Sequence, residues 1–197
     1  MTLKSNAVSI AEQLHYECTI LLELFRKKES FSSSLTGADV RLVPVQQSSD
    51  NEGRLWGLYS ALVLCQALMD KAMSKEEEEL GSGEMGEYEK QRRIVYERLK
   101  YLIATIWNLL ETKLCSSVGT EVECPTLLFE LKLWIYSVFK EIHFWAEMAG
   151  SILLQLESAK GPSRSRTGRS TVIAENREKF DIDGECTRKY STIFNVM

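Results

Sequence analysis

The chain has 197 residues, 44% of them apolar and 26% charged, and its charge sums to 24 − 28 = −4. That composition excludes a wholly disordered chain, and the acidic balance argues against a general nucleic-acid binder. Three prolines and eleven glycines are few, which favours long regular elements over the frequent turns of an all-β fold.

The first predicted helix runs from about Asn6 to Lys28. Val8, Ala11, Leu14, Cys18, Leu21 and Phe25 recur three and four apart, and Lys27 and Lys28 suit a helix C-terminus. The second runs from about Asp50 to Ser74. Ser49-Asp50-Asn51-Glu52 reads as a capping box, and Leu55, Leu58, Leu62, Met69 and Ala72 or Met73 form the stripe. The acidic run Glu76 to Glu79 opposes the helix dipole, so it marks the end of that helix and is read as solvated. Gly81-Ser82-Gly83 follows as a turn.

The third helix is predicted from about Met85 to Lys113, with Val95, Leu99, Leu102, Ile106 and Leu109 on its apolar face. The fourth starts after Cys124-Pro125-Thr126 and continues to about Glu157. Leu128, Leu131, Ile135, Val138, Ile142, Trp145, Ala149, Ile152 and Leu156 alternate three and four apart over about four heptads. Residues 158–197 form a separate tail, in which GPSRSRTGRS is small, polar and basic and is expected to be disordered.

Four such helices predict an all-α four-helix bundle over residues 1–157. The first connection, Glu29 to Ser49, reaches roughly 65 Å when extended. The second is a short turn, and the third reaches ~36 Å beside a fourth helix of ~48 Å. Long, short and long connections favour up-up-down-down order over simple alternation.

Five cysteines (Cys18, Cys65, Cys115, Cys124 and Cys186) leave at least one thiol unpaired within the chain. Cys115 and Cys124 flank one loop, where they can pair or stay free. No apolar run approaches the ~20 residues of a membrane span. Neither a signal peptide nor a glycosylation sequon is seen, so no secretory mark is expected.

Catalytic signatures are equally scarce. His15 and His143 are the only histidines, and no phosphate loop, HExxH or GxSxG occurs. Glu12-x-x-His15 has the spacing of a di-iron bundle ligand pair, but Lys140 stands where a second copy needs a carboxylate before His143. His15 is therefore expected at a core boundary. No metal, cofactor, catalytic residue or small-molecule substrate is expected.

What remains is apolar residues on outward faces. Tyr16 and Ile20 oppose the first helix's stripe, Trp107 lies beside Lys100 on the outer face of the third, and Phe129 opposes the fourth stripe with Lys132 one turn away. Single exposed hydrophobics are ordinary, and a crossing loop can cover them. Three such spots on one bundle instead point to binding anchors, since aromatics beside a basic residue are typical of hot spots.

Leu-Phe-Glu-Leu-Lys-Leu-Trp at residues 128–134, then Phe139-Lys-Glu-Ile142 and Trp145, resembles the last helix of the ciliary neurotrophic factor group in the interleukin-6 family of long-chain helical cytokines. Leu35-Thr-Gly-Ala-Asp39, Val43-Pro-Val45, Gly53-Arg-Leu55 and Leu109-Leu-Glu-Thr-Lys113 extend the likeness over about residues 14–157. The resemblance implies up-up-down-down topology and a ligand that assembles a specificity subunit, the leukaemia inhibitory factor receptor and a shared signal transducer. It implies that Phe129 and Lys132 form one receptor site and that the outer faces of the first and third helices form another. For the second site, geometry nominates Tyr16, Ile20, Lys100 and Trp107. The resemblance also implies a growth factor promoting neuronal survival and differentiation, held in the cytoplasm without a signal peptide and released unconventionally. A helical adaptor binding a cytosolic protein is the alternative reading of the same exposed aromatics.

Overall fold

The computed structural model describes residues 2–31, 41–45, 48–80, 86–110 and 125–158. The Gly81-Ser82-Gly83 turn, the Cys115 and Cys124 pairing and the tail beyond Ser158 lie outside the described residues, while the third helix, expected to reach Lys113, already ends at Trp107 with Asn108 as its C-cap. Within them the protein is all-helical: α1 is Leu3–Lys28, α2 Asn51–Leu80, α3 Glu87–Trp107 and α4 Leu128–Ser158.

The first two helix starts each have a local cause. The Thr2 hydroxyl accepts from Ser5 N at 3.1 Å and caps α1. Asp50, not Ser49, caps α2: its carboxylate accepts from Gly53 N at 3.0 Å and from the Ser48 hydroxyl at 2.6 Å. The expected capping box therefore does not form, because its third helical position falls on Gly53, which has no side chain to return the bond. A Cβ at Gly53 would stand 2.2 Å from Ser48 Oγ, so glycine is what fits there.

The stripes read from the sequence form the core. Leu14, Leu21 and Phe25 of α1 meet Leu58, Leu62 and Met69 of α2, Leu99, Leu102 and Ile106 of α3, and Ile135, Phe139 and Ile142 of α4 in one buried cluster. Cys18 and Cys65 lie in the same core as free thiols. Two stripe positions differ: Leu128 begins the fourth stripe by spacing but is exposed, and the buried run starts at Leu131, while Leu109 lies past the end of α3 and is half-buried, with Leu110 buried beside it.

α1 packs on α3 and α4, and α2 packs on α3 and α4, while the backbones of α1 and α2 do not approach closely, nor do those of α3 and α4; long side chains still bridge these diagonals, Lys28 to Glu76 and Tyr88 to Phe139. His15 meets His143 and Phe25 meets Phe139 across α1 and α4, while Glu17 meets Arg98 and Lys28 meets Glu89 across α1 and α3. Arg54 meets Gln155 across α2 and α4, and Trp56 meets Trp107 and Glu76 meets Arg92 across α2 and α3. In the pairs α1–α4, α1–α3 and α2–α3, residue numbers rise along one helix as they fall along the other.

The acidic run does not end α2. The helix continues through Glu76–Glu79 to Leu80, and Glu76 is 3% exposed rather than solvated. Its carboxylate accepts from Lys28 Nζ at 2.9 Å, from Tyr88 Oη at 2.8 Å and from Arg92 Nη1. These donors from α1 and α3 offset the dipole penalty that a lone helix would carry. Lys75 adds a further bond to Glu78 at 2.5 Å.

Part of the first crossover is tied to α4 through Glu141, which is buried. One of its oxygens accepts from Trp145 Nε1 at 2.9 Å and the other from Leu42 N at 3.2 Å. Arg41 lies over the Phe144 ring, 3.2 Å from its centroid. Val43, next in the loop, is buried in the core.

Candidate interaction surface

α4 begins just after Pro125, with Leu131 N donating to Leu127 O at 2.8 Å. Leu127, just before α4, and Leu128 and Phe129 in its first turn are all exposed. Phe129 is 59% exposed, as its position opposite the stripe required. Three adjacent large apolar side chains in water form a small contact surface of the kind that partner proteins cover. Lys132 is one turn further on, but its ammonium is 2.5 Å from the Glu29 carboxylate of the α1 C-cap.

The second nominated surface is only partly as expected. Tyr16 is 65% exposed, Ile20 is half-buried, and Lys100 is exposed with Glu97 at 3.7 Å and the Tyr96 ring at 5.2 Å. Trp107 departs from its outward placement. It is half-buried at the α2–α3 seam, 6.1 Å from the Trp56 ring and 5.2 Å from Tyr59. An angle measured from α3's own stripe could not show that α2 brings two aromatic rings to that side.

Two residues not nominated from sequence do stand outward on α3: Ile94 and Tyr101 are exposed. They line a shallow depression with Lys90, Arg93, Glu97 and Arg98. Arg98 reaches across to α1, donating to Gln13 Oε1 at 2.5 Å and lying 3.9 Å from Glu17. Gln13 and Glu17 flank Tyr16, so the outer faces of α1 and α3 are continuous there. The available signal was the seven-residue spacing of Ile94 and Tyr101, which repeats one face of a helix.

His15 lies against His143, with ring centroids 4.1 Å apart. The Thr19 hydroxyl is 3.2 Å from His15 O and 3.3 Å from His143 Nε2. Burial first, and then His15, hold the His143 imidazole below its ordinary value, while Glu147 acts the other way. Among the described residues no group of three or more His, Cys, Asp and Glu side chains is placed to hold a metal ion. No described helix is long and apolar enough to cross a membrane. Comparisons with known protein families, with characterised proteins and with solved structures returned no match for this chain.

Proposed function

We propose that the chain is a helical cytokine similar to ciliary neurotrophic factor, acting by bringing receptor ectodomains together and not by turning over a substrate. The observation that carries this reading is the exposed Phe129 beside Leu127 and Leu128 at the start of α4. A core that is complete without that ring leaves it available as an anchor for a receptor pocket. The α1–α3 face, with Tyr16, Ile20, Ile94 and Tyr101, serves as a second and separate contact, which a ligand joining two receptor chains requires.

The helix pairings support the up-up-down-down form of the bundle. Helices that pack with opposed residue order, with no close backbone approach between α1 and α2, are what two parallel diagonal pairs produce. Simple alternation would instead have put α1 beside α2. The partners under this reading are the leukaemia inhibitory factor receptor, a specificity subunit and a shared signal transducer. The chain is held in the cytoplasm until an unconventional release, and it promotes neuronal survival and differentiation.

The test is capture of purified receptor ectodomains by the full chain, with Phe129→Ala and the Phe129→Ala, Lys132→Ala pair as controls. Truncating a desolvated aromatic anchor costs ~2 kcal/mol, roughly thirtyfold in affinity. Wild-type affinity and signalling from the Phe129→Ala chain would reject this surface. Failure of the unaltered chain to capture any of the ectodomains would reject the cytokine reading.

A further inference from the structure

Lys132 stands one turn after Phe129, yet its ammonium is turned inward to Glu29. The pair is largely shielded, with 25% of the lysine side chain and 6% of the glutamate side chain exposed. Glu29 is itself held firmly. Its N–H donates to Phe25 O at 2.9 Å, Ser30 N donates to Lys27 O at 3.4 Å, and Phe31 N donates to Arg26 O at 3.0 Å. Ser30 takes the left-handed conformation at φ 54°. The 6→1 and 5→2 bonds around a left-handed residue are a Schellman ending, and Phe31 supplies its apolar contact by packing on Phe25 at 5.9 Å.

The same ring ties that ending to α4. Phe31 lies 6.0 Å from Tyr136, one turn past Lys132. The first turn of α4 has no such anchor of its own. Its amides lack intrahelical acceptors, and its side chains from Leu127 to Glu130 are exposed. Such a turn frays unless a tertiary contact holds it.

We infer that Lys132 is a positioning residue for the Phe129 surface: it fastens the first turn of α4 to the α1 C-cap through Glu29, and its charge is not offered to the partner. The meaning of that surface rests on the function proposed above. The inference also sets the partner's chemistry. Leu127, Leu128, Phe129 and Glu130 present three apolar side chains and one carboxylate. The complementary partner is a protein surface with an apolar pocket and a neutral or basic rim, not an acidic one.

Charge reversal tests this in the full-length chain, using Lys132→Glu, Glu29→Lys and both together. Without any partner, each single reversal speeds amide hydrogen exchange at residues 131–133 by roughly tenfold, and the double restores most of the protection. Against immobilised leukaemia inhibitory factor receptor ectodomain, each single weakens binding by about tenfold and the double recovers it. A double variant that regains amide protection but stays weak puts the Lys132 charge in the contact and overturns the inference. Unchanged exchange in both singles overturns it as well. Should a reversal prevent folding, Lys132→Gln and Glu29→Gln carry the same comparison, with non-additive effects expected and additive ones refuting it. If the unaltered chain does not bind the ectodomain, the receptor reading fails while the exchange measurement still decides the role of Lys132.

Discussion

Replacing Glu76 by alanine removes a carboxylate shared by α1, α2 and α3. Lys28 keeps Glu89 at 3.1 Å and is partly in water, so it loses little. Arg92 loses more. Its side chain is 10% exposed, its Nε has no hydrogen-bond partner among the described residues, and its ion pair is with Glu76. Tyr88 is buried and donates its hydroxyl to the same carboxylate. Burial first, and then the Glu76 charge, push its phenol well above the ordinary value, so it stays a donor. Removing one member of a buried pair costs about 3–5 kcal/mol. For a domain of this size that corresponds to roughly 10 °C in Tm. Glu76→Gln keeps the shape and an acceptor and should cost less. Glu77 is exposed, and Glu77→Ala should cost under about 0.5 kcal/mol. Urea and thermal unfolding followed by far-ultraviolet circular dichroism measure all three. Equal losses for Glu76→Ala and Glu77→Ala would refute the buried cluster.

Further outcomes follow from other named contacts. Ser30→Gly relieves a left-handed residue at the end of α1 and should raise stability by about 0.5–1 kcal/mol, with a lower Tm counting against the Schellman ending. The His143 imidazole is held below its ordinary value of about 6.5 in the fold, so the unfolded chain binds more protons as pH falls below that value. Stability is therefore full above pH ~6.5 and declines below it. His143→Gln should flatten that part of a Tm-against-pH curve, and an unchanged slope would exclude the histidine pair as its source. Burial pushes the thiols of Cys18 and Cys65 well above the ordinary range. A thiol-reactive dye at pH 8, followed by peptide mapping, should label both only at the rate of unfolding. Prompt labelling of either would contradict its burial.

The four stripes were legible because helical periodicity is local. Leu14 and Leu21, or Ile135 and Ile142, are seven residues apart, and the spacing alone puts them on one face. Those positions are buried as expected. Outward angles were also legible where nothing arrives to cover them, which is why Tyr16 and Phe129 are exposed as read. The sequence could not say what a neighbouring helix would present. Glu76 and Glu77 are equivalent by composition, but only Glu76 meets Lys28, Tyr88 and Arg92. Trp107 turns from an outward residue into a seam residue because Trp56 and Tyr59 stand opposite it. Lys132 finds Glu29 far away in the chain. A side chain's direction from its own helix follows from a 100° step, whereas its solvation and its charge partner are set by groups distant in sequence that only packing brings within a few ångströms.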